Sequence, residues 1–431
     1  MDSVPIVTSG VPSRPFSVKA INAVGKWIRK TGFDAVSLDP DRLIEATVRK
    51  TGLSDFGPGD FRTGLHLVSE SLEEEAGLNF IGRIVAKSYL SSNLENRLLA
   101  HEWRRTHPRV AEERITAPLV IVGLPRTGTT IMHALLDCDP ANRSPLFWEV
   151  QFPDPPPEPG TWETDPRIAR DQKMLDDLYR MAPGFRAMHP MTALMPQECA
   201  AIFTMCFRSE QLHTQFNIPS YQAWLDDADM DGTYAYHRRF LQHLQSGGVK
   251  GERWLLKSPV HFPRLGDLFR EYPDARIIHT HRNPIDVCAS VSSLMATLRG
   301  VSSDAIDLKA IGAQQLEWWT KMTAKSLAQR KSLENGNGKI FDVEMRELVA
   351  DPVGTVKRIY SFFGMELTPE IESSMNAFMA ENTRDKHGSH AYGLADFGLD
   401  RERDKHRFDE YVDYYNLEEA KTPHEILGTT A

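Results

Sequence analysis

The chain is 431 residues long, 41% hydrophobic and 25% charged, the make-up of a globular protein with room for one large domain and an appendage, or for two domains. Its net charge of −9 speaks against nucleic acid as a main partner, since a phosphate backbone selects basic faces, whereas a small anion needs only a local basic pocket. Four cysteines, Cys138, Cys199, Cys206 and Cys288, lack C-x-x-C spacing and read as reduced, partly buried thiols. No secretory leader or membrane-spanning run is expected, so a cytoplasmic protein is the default, with peripheral membrane contact left open.

Residues 1–15 are rich in Pro, Ser and Gly and read as irregular. From about Phe16 to Arg109 the pattern is helical, with Ile81, Ile84, Val85, Tyr89 and Leu90 at helical spacings inside Leu78–Arg105. Residues 1–115 are therefore expected to be an N-terminal helical region, and residues 116–431 a second unit. In that unit strands are expected over Leu119–Val122, Trp254–Leu256, Arg276–Thr280 and Lys339–Val343. Helices are expected over Thr129–Asp137, Ile285–Leu298, Ala305–Leu333 and Pro352–Phe363. This alternation predicts an α/β fold, a parallel sheet covered by helices on both faces, with ligands at the carboxyl ends of its strands.

The first such end carries Gly123–Thr130, G-L-P-R-T-G-T-T, between a buried strand and a helix. Two glycines five positions apart at that turn make a P-loop-type phosphate cradle of backbone N–H groups, completed by the helix N-terminus. The lysine of a nucleotide triphosphatase loop is replaced by Thr129, and the basic residue, Arg126, lies inside the loop. The ligand is thus expected to be a phosphate other than a triphosphate. Pro153–Pro159 reads as a stiff loop, and residues 167–245 as a helical insertion rich in Met and aromatic residues. Singly these pack a core; together they suit the wall of an apolar acceptor pocket.

Two more strand ends carry chemistry. Lys257-Ser258-Pro259-Val260-His261 follows the second strand. Arg282 follows the third, with Asn283 placed to cap the next helix, Pro284 and Asp286 in its first turn, and Ser290 two turns in. Arg282 and Ser290 suit one phosphate lying along that helix; the plainer reading of the arginine is a surface ion pair. His279 and His281 share one strand face, but no carboxylate or thiolate set accompanies them at metal spacing, so no metal site is expected. Asn335-Gly336-Asn337-Gly338 is a turn signal.

Taken jointly, these motifs resemble the sulfotransferases that use 3′-phosphoadenosine 5′-phosphosulfate (PAPS). Pro125–Thr130 is similar to that family's 5′-phosphosulfate loop, and the R-N-P-x-D-V-x-x-S setting of Arg282 and Ser290 to its 3′-phosphate motif. The K-S-P-x-H segment and the stretches Lys386–Tyr392 and Asp396–Leu399 resemble the bacterial branch, and the likeness runs from roughly Ala117 onward. The resemblance implies sulfonate transfer from PAPS to an acceptor, with no metal required. It implies that Arg126, Thr127, Gly128, Thr129 and Thr130 hold the 5′-phosphate and that Lys257 stabilises the bridging oxygen. Arg282 and Ser290 would bind the 3′-phosphate, with Arg384 and Lys386 completing that site. The general base is His261 or Glu198: the histidine suits neutral pH but sits four residues from the lysine, not two as in the K-T-H of the cytosolic branch. A hydrophobic or lipid alcohol is the expected acceptor, with a sugar hydroxyl as the alternative. A P-loop kinase, or a non-catalytic nucleotide- or lipid-binding protein, remains a rival reading.

Overall fold

The computed structural model describes residues 7–8, 16–30, 36–182, 185–333, 339–382, 390–391 and 393–417. Five parallel strands form the central sheet: β1 (Leu119–Gly123), β2 (Asn142–Arg143), β3 (Arg253–Lys257), β4 (Arg276–His281) and β5 (Ile340–Glu344), in the spatial order β2-β3-β1-β4-β5. β1 is central because its five residues are buried on both faces, which an L-V-I-V-G run tolerates and an alternating one does not. Each buried Leu, Ile or Val side chain there contributes about 1.5–3 kcal/mol.

Helices cover both faces, as the α/β reading requires. On one face Leu119, Ile121, Leu255 and Ile278 meet α3 (Thr129–Leu136), α7 (Pro352–Phe362) and α8 (Pro369–Glu381). On the other, Val120, Val122, Leu256 and Ile277 share a larger core with α5 (Pro284–Ser302) and α6 (Leu308–Leu333). That core continues without a break into the N-terminal helices, through Leu90, Leu94 and Leu98 of α2 (Phe80–Thr106). The insertion joins it too: Phe203, Met205, Phe207, Phe216, Tyr221 and Tyr234 are all buried there. α1 (Phe16–Lys30) rests on the start of α2.

Element ends follow local chemistry. Asn283 caps α5, its Oδ1 accepting from Ile285 N at 3.3 Å, with Pro284 at the first position. α6 begins at Leu308, later than Ala305, because the Asp307 carboxylate accepts from Lys309 N and Ala310 N at 2.9 and 3.0 Å. The Asn335–Gly338 turn lies outside the described residues. All four cysteines are unbonded, and no described helix is long and apolar enough to cross a membrane.

Candidate active site

The site is assembled where β1, β3 and β4 end side by side. Ile121 aligns with Lys257 across β1 and β3, and Gly123 with Thr280 across β1 and β4, so the three motifs leave the sheet at one edge. Gly123 must be glycine: a Cβ would lie 2.2 Å from Thr280 Oγ1 and 2.6 Å from its carbonyl oxygen. Gly128 caps α3 in the left-handed region at φ 84°, where a Cβ would meet Leu348 Cδ2 at 2.6 Å. Arg126 adopts φ 66°. The loop thus folds tightly around the N-terminus of α3.

Its side chains divide the work. Thr127 is fully buried, its hydroxyl 2.6 Å from both Leu124 O and Thr280 Oγ1, so it ties the loop to β4. Thr129 is buried at the head of α3 and Thr130 is exposed. Arg126 is exposed and its guanidinium reaches Met188 O at 3.3 Å.

Lys257 and Glu198, fifty-nine residues apart, meet here: Lys257 Nζ donates to Glu198 Oε1 at 2.5 Å, with the lysine side chain 4% and the carboxylate 27% exposed. Glu198 is the N-cap of α4 (Cys199–Phe203), yet its side chain does not cap that helix. Its backbone is set by a short tether, with Gln197 N donating to Pro145 O at 2.7 Å and Phe147 N to Met195 O at 3.0 Å. The charge of Lys257 is felt by His133, whose pKa is pushed well down first by burial and then by that charge.

His261 packs against α4, the helix that follows Glu198. It is fully buried, its Nδ1 is 2.9 Å from the Tyr234 hydroxyl, and its ring stands edge-on to Phe203 at 5.7 Å. Its Nε2 has no partner, and burial pushes its pKa down to about 3.

Arg282 is buried beside the loop, its Nη1 donating to Arg126 O at 3.2 Å and its Nε 3.9 Å from Asp286 Oδ2. Asp286 also pairs with Arg401, which comes from near the C-terminal end of the described chain. Asp286 and the buried Ser290 lie one turn apart on one side of α5, and Arg282, just before the Asn283 cap, reaches toward Asp286. Arg384 and Lys386 lie outside the described residues.

Three participants escaped the sequence reading. Arg401 meets Asp286 through the fold alone. Half-buried His189 is depressed to about pKa 4 by burial, and it also feels the charges of Glu198, Lys257 and Arg126; it belongs to no motif. Asp342, opposite His279 on β5, reaches both strand histidines: its Oδ1 is 3.0 Å from His281 Nε2 and 3.8 Å from His279 Nδ1. Arg330 donates to the other carboxylate oxygen at 2.9 Å, so that carboxylate already has a cation. A carboxylate therefore does accompany the strand histidines, from the adjacent strand.

A family model, described as the sulfotransferase family, matches residues 118–369. This chain belongs to the sulfotransferase family. It is 30% identical to sulfotransferase STF9 from Mycobacterium avium, with a TM-score of 0.80 over 90% of this chain and 98% of that one. Sulfotransferase STF1 from Mycobacterium tuberculosis H37Rv is 31% identical, with a TM-score of 0.76 over 86% and 98%. The omega-hydroxy-beta-dihydromenaquinone-9 sulfotransferase Stf3 of Mycobacterium bovis is 24% identical over 274 residues, which span 60% of this chain and 65% of that relative's length. The family match takes in the loop, Lys257 and the Arg282–Ser290 stretch.

Proposed function

We propose that this sulfotransferase moves a sulfonate group from PAPS to the hydroxyl of a small hydrophobic or lipid alcohol. The observation that carries the reading is the Lys257–Glu198 pair, a buried cation and a partly exposed carboxylate in contact at the end of β3 beside the phosphate loop. The residues fit the donor: a loop with no space for a Cβ at Gly123 or Gly128 suits close approach of backbone N–H groups to a phosphate. PAPS would supply an activated sulfonate whose S–O bond to the 5′-phosphate breaks as the acceptor oxygen bonds to sulfur.

Glu198 is the base in this reading. Its carboxylate, 27% exposed, takes the acceptor's proton as that oxygen attacks in line. Lys257 then turns its charge from Glu198 toward the oxygen left on the phosphate, and stabilises it where little water screens it. Burial and a pKa near 3 leave His261 a packing residue held by Tyr234. Arg282 and Ser290 hold the 3′-phosphate, and Arg126 with the N–H groups of Gly128, Thr129 and Thr130 holds the 5′-phosphate. A hydrophobic acceptor is supported by the dihydromenaquinone named for the Stf3 relative.

Calorimetric titration with 3′-phosphoadenosine 5′-phosphate, beside ATP with magnesium, tests the donor. Tight binding of the bisphosphate is expected, followed by radiolabelled sulfonate transfer from PAPS to lipid alcohols in an acceptor panel. ATP binding alone would replace this reading with a kinase, and transfer only to sugars would replace the acceptor.

A further inference from the structure

Helix α1 turns an apolar stripe away from the protein. Phe16, Val24 and Trp27 are 87%, 59% and 68% exposed. With the exposed Ala20 and Ala23 they recur at helical spacing and form one continuous strip. The opposite side docks the helix. Asn22 is buried and its Oδ1 accepts from Ile81 N at 3.0 Å. Gly25 lies so close to Phe80 that a Cβ there would come within 2.2 Å of its ring. The outward stripe is therefore displayed by a seated helix.

Charge selects the occupant. The sequence of α1 holds Lys19, Lys26, Arg29 and Lys30 and no acidic residue, in a chain of net charge −9. Lys19 and Lys26 are exposed along one flank of the stripe. A second copy of this face would set lysine against lysine. An anionic lipid surface accepts both halves: aromatic rings and Val enter the headgroup boundary while ammonium groups stay with the phosphates. At 15 residues the helix is too short to span a bilayer, so it would lie in the interface.

We propose that α1 is an interfacial anchor that seats Phe16, Val24 and Trp27 in an anionic bilayer, with Lys19 and Lys26 on its headgroups. Such seating would hold the protein on a membrane in which a lipid acceptor is dissolved. That consequence rests on the proposed hydrophobic acceptor; the anchoring itself does not.

Co-sedimentation of the full chain with phosphatidylglycerol-rich vesicles, against phosphatidylcholine alone, tests it. The wild type should bind the anionic vesicles, more weakly as salt rises. Phe16→Ser/Val24→Ser/Trp27→Ser should weaken binding at least about tenfold, and Lys19→Gln/Lys26→Gln should remove most of the preference for anionic lipid. These exposed changes should leave the melting temperature and bisphosphate binding at wild-type values, which separates lost anchoring from lost folding. The proposal is overturned by a wild type that ignores both vesicles, by a triple variant that binds as well as wild type, or by a solution dimer that the triple variant dissolves. Vesicle binding with no sulfonate transfer would uphold the anchor and remove the acceptor reading.

Discussion

Glu198→Gln separates the role of the carboxylate from that of its neighbours. The change keeps the side chain's shape but leaves Lys257, 4% exposed, without an anionic partner. Stripping the partner from a fully buried charge costs about 3–5 kcal/mol. Glu198 is 27% exposed, so water already screens part of this pair, and a loss of about 1–3 kcal/mol is expected. With an unfolding entropy of about 2.1 cal/mol/K per residue, each kcal/mol moves the midpoint of a 431-residue chain by about 1 °C, so Tm should fall by about 1–3 °C. Turnover should fall far more, by about 10²–10⁴-fold, the usual cost of removing a general base. Bisphosphate affinity should not fall, because Glu198 itself touches no phosphate in this reading and its loss leaves Lys257 free to meet the 5′-phosphate oxygen. The assay is single-turnover transfer of radiolabelled sulfonate at saturating donor, with calorimetry and thermal melting on the same samples. If Glu198→Gln turns over within about threefold of wild type while His261→Gln is inactive and melts normally, the base is His261 and the reasoning from burial fails.

Arg282→Ala should weaken binding of 3′-phosphoadenosine 5′-phosphate about 10–150-fold, the worth of about 1.5–3 kcal/mol of charged hydrogen bonding, and leave 5′-AMP binding nearly unchanged; equal losses for both ligands would deny it the 3′-phosphate. Gly128→Ala puts a side chain at φ 84° against Leu348, and should lower both stability and bisphosphate affinity; a variant that binds like wild type would show that the loop needs no tight turn there. Stability should fall as pH drops from about 6.5 toward about 4. His243 and His261 have folded pKa values of about 4 and 3 through burial, and His237 and His279 are also held well down by it, so below pH 6.5 the unfolded chain binds protons that the folded chain refuses. Asp342, held at about 2 by His281, His279 and Arg330 against its partial burial, adds stability that disappears between about pH 4 and 2. Asp171, raised to about 7 by burial, works in the opposite direction, as do Asp137, Asp154 and Glu210, also raised by burial; the depressed histidines, which include His133, His189 and His213, outnumber them. Urea unfolding at pH 7.5 and 5 checks the balance, and equal midpoints would contradict it.

Much of the sheet could be read in advance because its strands are short, apolar and followed by glycine, proline or asparagine. β1, β3, β4 and β5 lie within a residue or two of the expected ranges. β2 was invisible. Asn142 and Arg143 carry no strand signal, and they join the sheet because the buried Arg143 guanidinium pairs with Glu149 at 2.8 Å and stacks over Trp254 at 4.7 Å. The unbroken core between the N-terminal helices and the sheet was equally hidden, since periodicity shows that a helix has an apolar face but not what that face meets.

The sequence by itself determined the α/β alternation, the glycine-bounded loop 123–130 with threonine where a triphosphatase has lysine, and the three strands whose ends lie side by side. Each is a local matter of backbone freedom, burial pattern and capping, encoded within a few neighbouring residues. Only the tertiary structure decided which long-range partners meet. Lys257 found Glu198 because segment 193–197 is tethered to 145–148. Asp286 found Arg401 across 115 residues. His281 found Asp342 because β4 and β5 pair in register. The surroundings of His261 were decided in the same way: its sequence position made it a candidate base, and the fold buries its ring against Phe203 with the Tyr234 hydroxyl on Nδ1. A residue's type fixes what chemistry it offers, but its burial and its charged neighbours come from chain segments far away, and those set its protonation and reach.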